Sequence, residues 1–239
     1  MRASLLQPLF RIAAYAFLVQ GIVFVALAIL IPANSQFFEP HGTVDWPEFL
    51  ADLDAGSGQF LTIKGLMLAL RTLYGVSLVG MAVVWWSNHR TAAVLVLSFI
   101  LVSIPMINVA QLMGMALVPL AGDYQAAVAQ DDVATMASIE ASASTTYMVA
   151  EYLDTFVNIV PFVALLGAMF WLSTRIDGLE RIKWILPLLM VLPFNRYLPD
   201  AVALIASLLN VVATGAYFFL MARFMLRSDA DMGSDPAVA

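Results

Sequence analysis

Six long apolar runs, separated by loops whose positive charge alternates, govern what this 239-residue chain can fold into. They cover Ile12–Ile31, Thr62–Trp86, Thr91–Met115, Tyr147–Leu172, Lys183–Phe194 and Leu198–Met221. All but the fifth reach the ~20 residues a helix needs to cross a bilayer. The expected fold is therefore all-α: a polytopic transmembrane bundle of six spans. Hydrophobic residues make up 62% of the chain and charged residues 12%, where a soluble domain carries about a quarter charged. The first run, preceded by Arg2 and Arg11, exceeds the 7–15 residues of a secretory signal core and reads as an uncleaved span.

Orientation follows from the Lys and Arg residues near the span ends, because short positively charged loops stay cytoplasmic. Arg2, Arg11, Arg90, Arg175, Arg181, Lys183, Arg223 and Arg227 all fall on one side if there are six crossings. The other side receives the loops 32–60 and 118–146, which contain no Lys or Arg but carry Glu39, Asp45, Glu48, Asp52, Asp54, Asp123, Asp131, Asp132 and Glu140. Both termini are then cytoplasmic. Trp85, Trp86, Trp171 and Trp184 fall at the inner ends of their spans, at headgroup level.

The expected organisation is one membrane domain over residues 1–227 and a disordered acidic tail over 228–239, small in its side chains and without an apolar face. The fifth run is short, about 18 Å at 1.5 Å per residue, and Pro187 interrupts it. A re-entrant segment is the rival there, but it would place Arg223 and Arg227 outside, against the charge rule. In the first outer loop Asp45 and Glu48 form a capping pattern. Trp46, Phe49, Leu50 and Leu53 repeat with helical spacing, and Gly56 and Gly58 end the run. This amphipathic helix lies on the membrane surface, lids the bundle or is a packed loop segment. Gln125–Ser142 reads as a solvated helix feeding the fourth span.

The apolar runs contain one constellation of charges. The second carries Lys64 and Arg71 on nearly one face; the fourth carries Glu151, Asp154 and Asn158 at i, i+3 and i+7. Counted from the inner Trp belt, Lys64 lies ~33 Å up, Glu151 ~31 Å, Asp154 ~27 Å and Arg71 ~22 Å, so that Arg71 can snorkel towards Asp154. Asn108 and Gln111 in the third run and Asn210 in the sixth complete an expected outward-opening polar pocket among spans two, three, four and six. Such a set reads two ways. Polar contacts of ~0.6–2 kcal/mol each pin helices together, whereas intramembrane ionisable residues mark sites for a solute, a proton or a lipid headgroup.

Several classes fall away. There is no cysteine, hence no disulfide and no thiolate nucleophile or metal ligand. The formal charge of −6 comes with no basic stripe for nucleic acid. His41 and His89 lie on opposite sides and cannot share a metal, so no metal or cofactor is expected. Ser98 and Ser103 lie more than ~15 Å below Lys64, too far for a serine–lysine pair, and no catalytic residue is assigned. Gln20, isolated in the first run, reads as a donor between helices.

Arg11-Ile12-Ala13-Ala14-Tyr15 opens the first span, and Ser87-Asn88-His89-Arg90 forms the short turn after the charged second one. Asn108 follows in the third, then Gly178-Leu179-Glu180-Arg181-Ile182-Lys183-Trp184 before a short fifth span. In this order of features the chain resembles a bacterial family of small six-helix membrane proteins to which no activity is assigned, over most of residues 10–225. The resemblance implies the six-span architecture and the bacterial inner membrane, and carries over no cofactor or catalytic residue. The reading is of a non-enzymatic multi-pass protein whose polar pocket binds a small ligand or holds the bundle. A small-solute or proton-coupled transporter is the alternative, and an intramembrane enzyme a third. The expected partners are the lipid bilayer and a second copy or another membrane protein.

Overall fold

A computed structural model describes residues 2–38, 41–86, 89–174, 182–191 and 200–234. Every regular element among them is helical. In chain order these are α1 (Arg2–Leu30), α2 (Trp46–Ala55), α3 (Ser57–Trp85), α4 (Arg90–Met115), α5 (Leu117–Ala129), α6 (Val133–Ser173), α7 (Leu186–Val191) and α8 (Asp200–Ser234), with 3-10 turns at Pro32–Phe37, His41–Thr43 and Ile182–Trp184. Four stretches are long and apolar enough to cross a membrane: Pro8–Leu30, Ser57–Val83, Arg90–Ala129 and Leu208–Arg227. The fourth run lies inside α6, which at 41 residues is about 62 Å long. The expected fifth span contains only the turn Ile182–Trp184 and the six-residue α7; residues 192–199 lie outside the described set.

The stretches 32–60 and 118–146 are largely helical, which corrects the sequence boundaries. Asp45 caps α2 through Glu48 N–H (3.4 Å), as the capping pattern requires, and Phe49, Leu50 and Leu53 are buried. Gly56 ends α2, but Gly58 sits in the first turn of α3 and terminates nothing. The stretch 118–146 is a helical hairpin. Alanine-rich sequence favours helix in both arms, and Asp131 makes the turn at a φ of 53°, a left-handed conformation that Asp tolerates. Asp132 then starts α6 by accepting from Thr135 N–H (3.1 Å) and Thr135 Oγ1 (2.6 Å), bonds that hold its carboxyl below the ordinary range. Tyr124 Oη donates to Glu140 Oε1 (3.0 Å) and ties the two arms. At the other end α8 runs to Ser234, seven residues past the expected boundary at Arg227. An existing helix propagates at little cost, so an acidic sequence does not by itself stop it. Residues 235–239 lie outside the described set.

The chain forms two compact units. Unit 1 is Met1–Val25, Leu70–Pro105 and Val157–Ala239; unit 2 is Ala26–Ala69 and Met106–Phe156. In unit 1, Phe17, Tyr74, Tyr217 and Phe218 pack with ring centroids 5.6–6.5 Å apart. Gly80 of α3 lets α1 come close: a methyl at that position would collide with Ala13. Gln20 donates through Nε2 to Ser77 Oγ and to Ala16 O, the inter-helix role its isolation in an apolar run implied. Trp85 is buried, while Trp86, Trp171 and Trp184 are exposed. Unit 2 closes at one end with a core of Phe37, Phe49, Leu50, Leu53, Phe60, Leu117, Ala121, Tyr124 and Ala143, contributed by the turn Pro32–Phe37, α2, α3, α5 and α6. Trp46, Phe49 and Tyr147 form a trio of edge-on rings, 5.5–5.8 Å apart, that fastens α2 to α6.

Candidate functional site around Lys64

The eight candidate residues divide between the units. Lys64, Asn108, Gln111, Glu151 and Asp154 belong to unit 2; Arg71, Asn158 and Asn210 belong to unit 1. In unit 1, Asn210 Oδ1 accepts from Thr214 Oγ1 (3.1 Å), one turn away on α8, a bond local to its own helix. The half-buried Arg71 places its charge near Tyr74, one turn along α3. Asn158 lies in α6, with its side chain outside the described set.

The unit 2 residues build upward from α3. Lys64 follows Phe60 by four residues, so the two share a face, and the Nζ sits 5.4 Å from the Phe60 ring centroid. Phe38, just after the turn Pro32–Phe37, supplies a second ring at 5.4 Å. Both distances fall within the ~6 Å at which a ring quadrupole attracts a cation. The apolar stem runs against Gly114 of α4: a Cβ there would lie 2.9 Å from Lys64 Cε and 3.1 Å from Nζ. A side chain at position 114 would oblige the end of Lys64 to shift. Asp154 of α6 acts electrostatically on the ammonium. Among the described residues no hydrogen-bond acceptor meets Lys64 Nζ.

Gln111 and Asn108 stand one and two turns back from Gly114 along α4. Gln111 is 4% exposed, and its Oε1 has no hydrogen-bond partner; the buried Asn108 Oδ1 has none either. Buried polar atoms are almost always paired, and an unmade bond costs about 1–3 kcal/mol. The arrangement is thus an ammonium held by aromatic faces, a carboxylate in its field, and two open acceptors on the adjoining helix. It can bind charge and hydrogen-bond donors. It offers no nucleophile with a base, and the described residues contain no group of three His, Asp or Glu side chains placed to hold a metal.

Sequence reasoning missed Phe60, Phe38 and Gly114. Phe60 was findable from its i, i+4 spacing to Lys64, and Gly114 from its place three residues beyond Gln111. Phe38 comes from a different element with no periodic signal. No family model matches this chain, and no curated protein or solved structure does.

Proposed function

We propose that this chain is a non-enzymatic multi-pass protein of the bacterial inner membrane, with six crossings and both termini cytoplasmic, and that the residues around Lys64 bind a small ligand. The membrane reading is supported by the four long apolar helices and by large side chains left bare on them, such as Leu101, Ile29 and Val212. The charge asymmetry of the loops supports the topology. A reporter active only outside the cytoplasm, fused at Gly122, should give signal, and the same reporter fused after Arg227 should be silent. Signal at the second position breaks the six-span model.

The observation that carries the binding role is the unmet hydrogen-bonding capacity: an ammonium on phenyl rings, packed against Gly114 of the helix that also carries two buried amide oxygens without donors. The Gln20–Ser77 pin also leaves one oxygen open, Gln20 Oε1, but it stands alone, whereas on α4 two open amide oxygens follow one another within a turn. Lys64→Met tests this, since it keeps the unbranched stem and removes the charge. If the residue is there for binding, the change should raise the melting temperature in detergent by about 2–4 °C, the shift that ~1 kcal/mol produces in a chain of this size. A lower melting temperature overturns the binding reading in favour of pinning.

A further inference from the structure

We infer that the Lys64 site takes a small zwitterion, a molecule with an anionic oxygen group and a primary ammonium two or three bonds apart, of which a free α- or β-amino acid is the simplest form. The inference rests on the binding role proposed above and names its ligand class. The charges along α4 are ordered. Lys64 Nζ lies level with Gly114, near the C-terminal end of the helix, and offers N–H donors that lack an acceptor among the described residues. The open oxygens of Gln111 and Asn108 lie about 4.5 and 9 Å back along the same helix and lack donors. Asp154 adds negative charge. A simple anion would satisfy Lys64 and leave both amides open. A simple cation would satisfy the amides and be repelled by Lys64. A molecule with both groups, its anion at Lys64 and its ammonium at Gln111, satisfies both of these side chains together, which neither simple ion does.

Phosphatidylethanolamine carries the same two kinds of group, one bond further apart than in β-alanine, so the chemistry has two sources. The order of charges favours the free solute: under the proposed topology the C-terminal end of α4 faces outward. The ammonium then lies deeper than the anion, the reverse of a lipid whose phosphate is nearer its acyl chains.

The test uses the full chain in nanodiscs of phosphatidylcholine, titrated with glycine and with β-alanine. Thermal unfolding and amide exchange of the segments 57–68 and 106–116 are the readouts. Wild type should gain about 2–4 °C at saturating solute, rising with the logarithm of concentration, together with exchange protection in both segments. Acetate, methylammonium and trimethylglycine, which lack one of the two groups or its N–H donors, should give no shift. Lys64→Met and Gln111→Leu should each remain folded and lose the response. A second arm replaces part of the phosphatidylcholine with phosphatidylethanolamine and adds no solute; protection in that arm alone upholds the chemistry and assigns it to lipid. Silence in both arms overturns the proposal, as does a shift that acetate or trimethylglycine reproduces or that survives in Lys64→Met. Failure here with Lys64→Met still stabilised removes the ligand class and leaves the binding role intact. Destabilised Lys64→Met removes both.

Discussion

In unit 1, Gln20 of α1 reaches Ser77 of α3, and Tyr74 of α3 meets Tyr217 of α8 at 3.5 Å, so neutral side chains join helices by bonds between them. In unit 2 the corresponding material is charged: Lys64 lies on two rings with Asp154 in its field. Both units leave some buried atoms without partners, but in different patterns. Those of unit 1, Gln20 Oε1, Trp85 Nε1 and Ser103 Oγ, are scattered over α1, α3 and α4; the two of unit 2 stand one turn apart on α4. Scattered losses are the ordinary residue of packing an apolar bundle. Adjacent losses on the helix that Lys64 packs against are the pattern from which the proposed binding role is argued.

If unit 1 is held by close packing, the largest effect should come from filling its tightest contact. Gly80→Leu drives a side chain into Ala13 and the carbonyl of Leu9, and overpacking of this kind costs about 3 kcal/mol where neither helix can retreat. We expect little folded protein by size-exclusion chromatography. Gly65→Ala, where nothing lies within 4 Å, should be neutral or stabilising by up to ~1 kcal/mol through helix propensity. Equal behaviour of the two variants would mean that unit 1 does not depend on the α1–α3 approach.

The Gln20–Ser77 pair gives the middle effect and the opposite sign to Lys64→Met. A double-mutant cycle of Gln20→Leu and Ser77→Ala should return a favourable coupling of about 0.6–1.7 kcal/mol, the range for bonds between membrane helices. Stabilisation at Lys64 together with destabilisation at Gln20, read from melting curves in one detergent, is the contrast that separates a site from a pin. The same sign at both would erase it.

Much of this was legible because the physics is local or periodic. The long helices follow from uninterrupted apolar runs, and α2 from one capping aspartate and the spacing of Phe49, Leu50 and Leu53. Gln20 was legible because a lone amide in an apolar run must find a partner. The hairpin of α5 and α6 was only half visible: helix was expected over Gln125–Ser142, but as one piece, and the turn between Ala129 and Val133 that divides it carries no Gly or Pro to announce it. That Trp85 packs inward while Trp86 is exposed depends on which face of the helix is covered, and that is a tertiary fact. The aromatic seat of Lys64 needed Phe38, which comes from a different element with no periodic signal.

The smallest effect concerns the turn that joins the hairpin arms, where unit 2 uses charge in the ordinary way. The Asp132 carboxylate accepts from the Thr135 hydroxyl and backbone N–H, which lowers its pKa below the usual 3.8. A carboxyl whose folded pKa is depressed contributes stability above its unfolded pKa and loses it as pH falls through the folded value. The contribution should therefore be complete at neutral pH, decline below about pH 4, and be absent at every pH in Asp132→Ala. Because the residue is fully exposed, the melting temperature should hardly move. Amide exchange over residues 130–138 should nevertheless speed up in the variant at pH 7 and converge with wild type in acid once intrinsic exchange is corrected. Exchange that is already equal at pH 7 would show that the left-handed turn at Asp131, not the cap, starts α6. The comparison between the units would then rest on Lys64 and its two open amides alone.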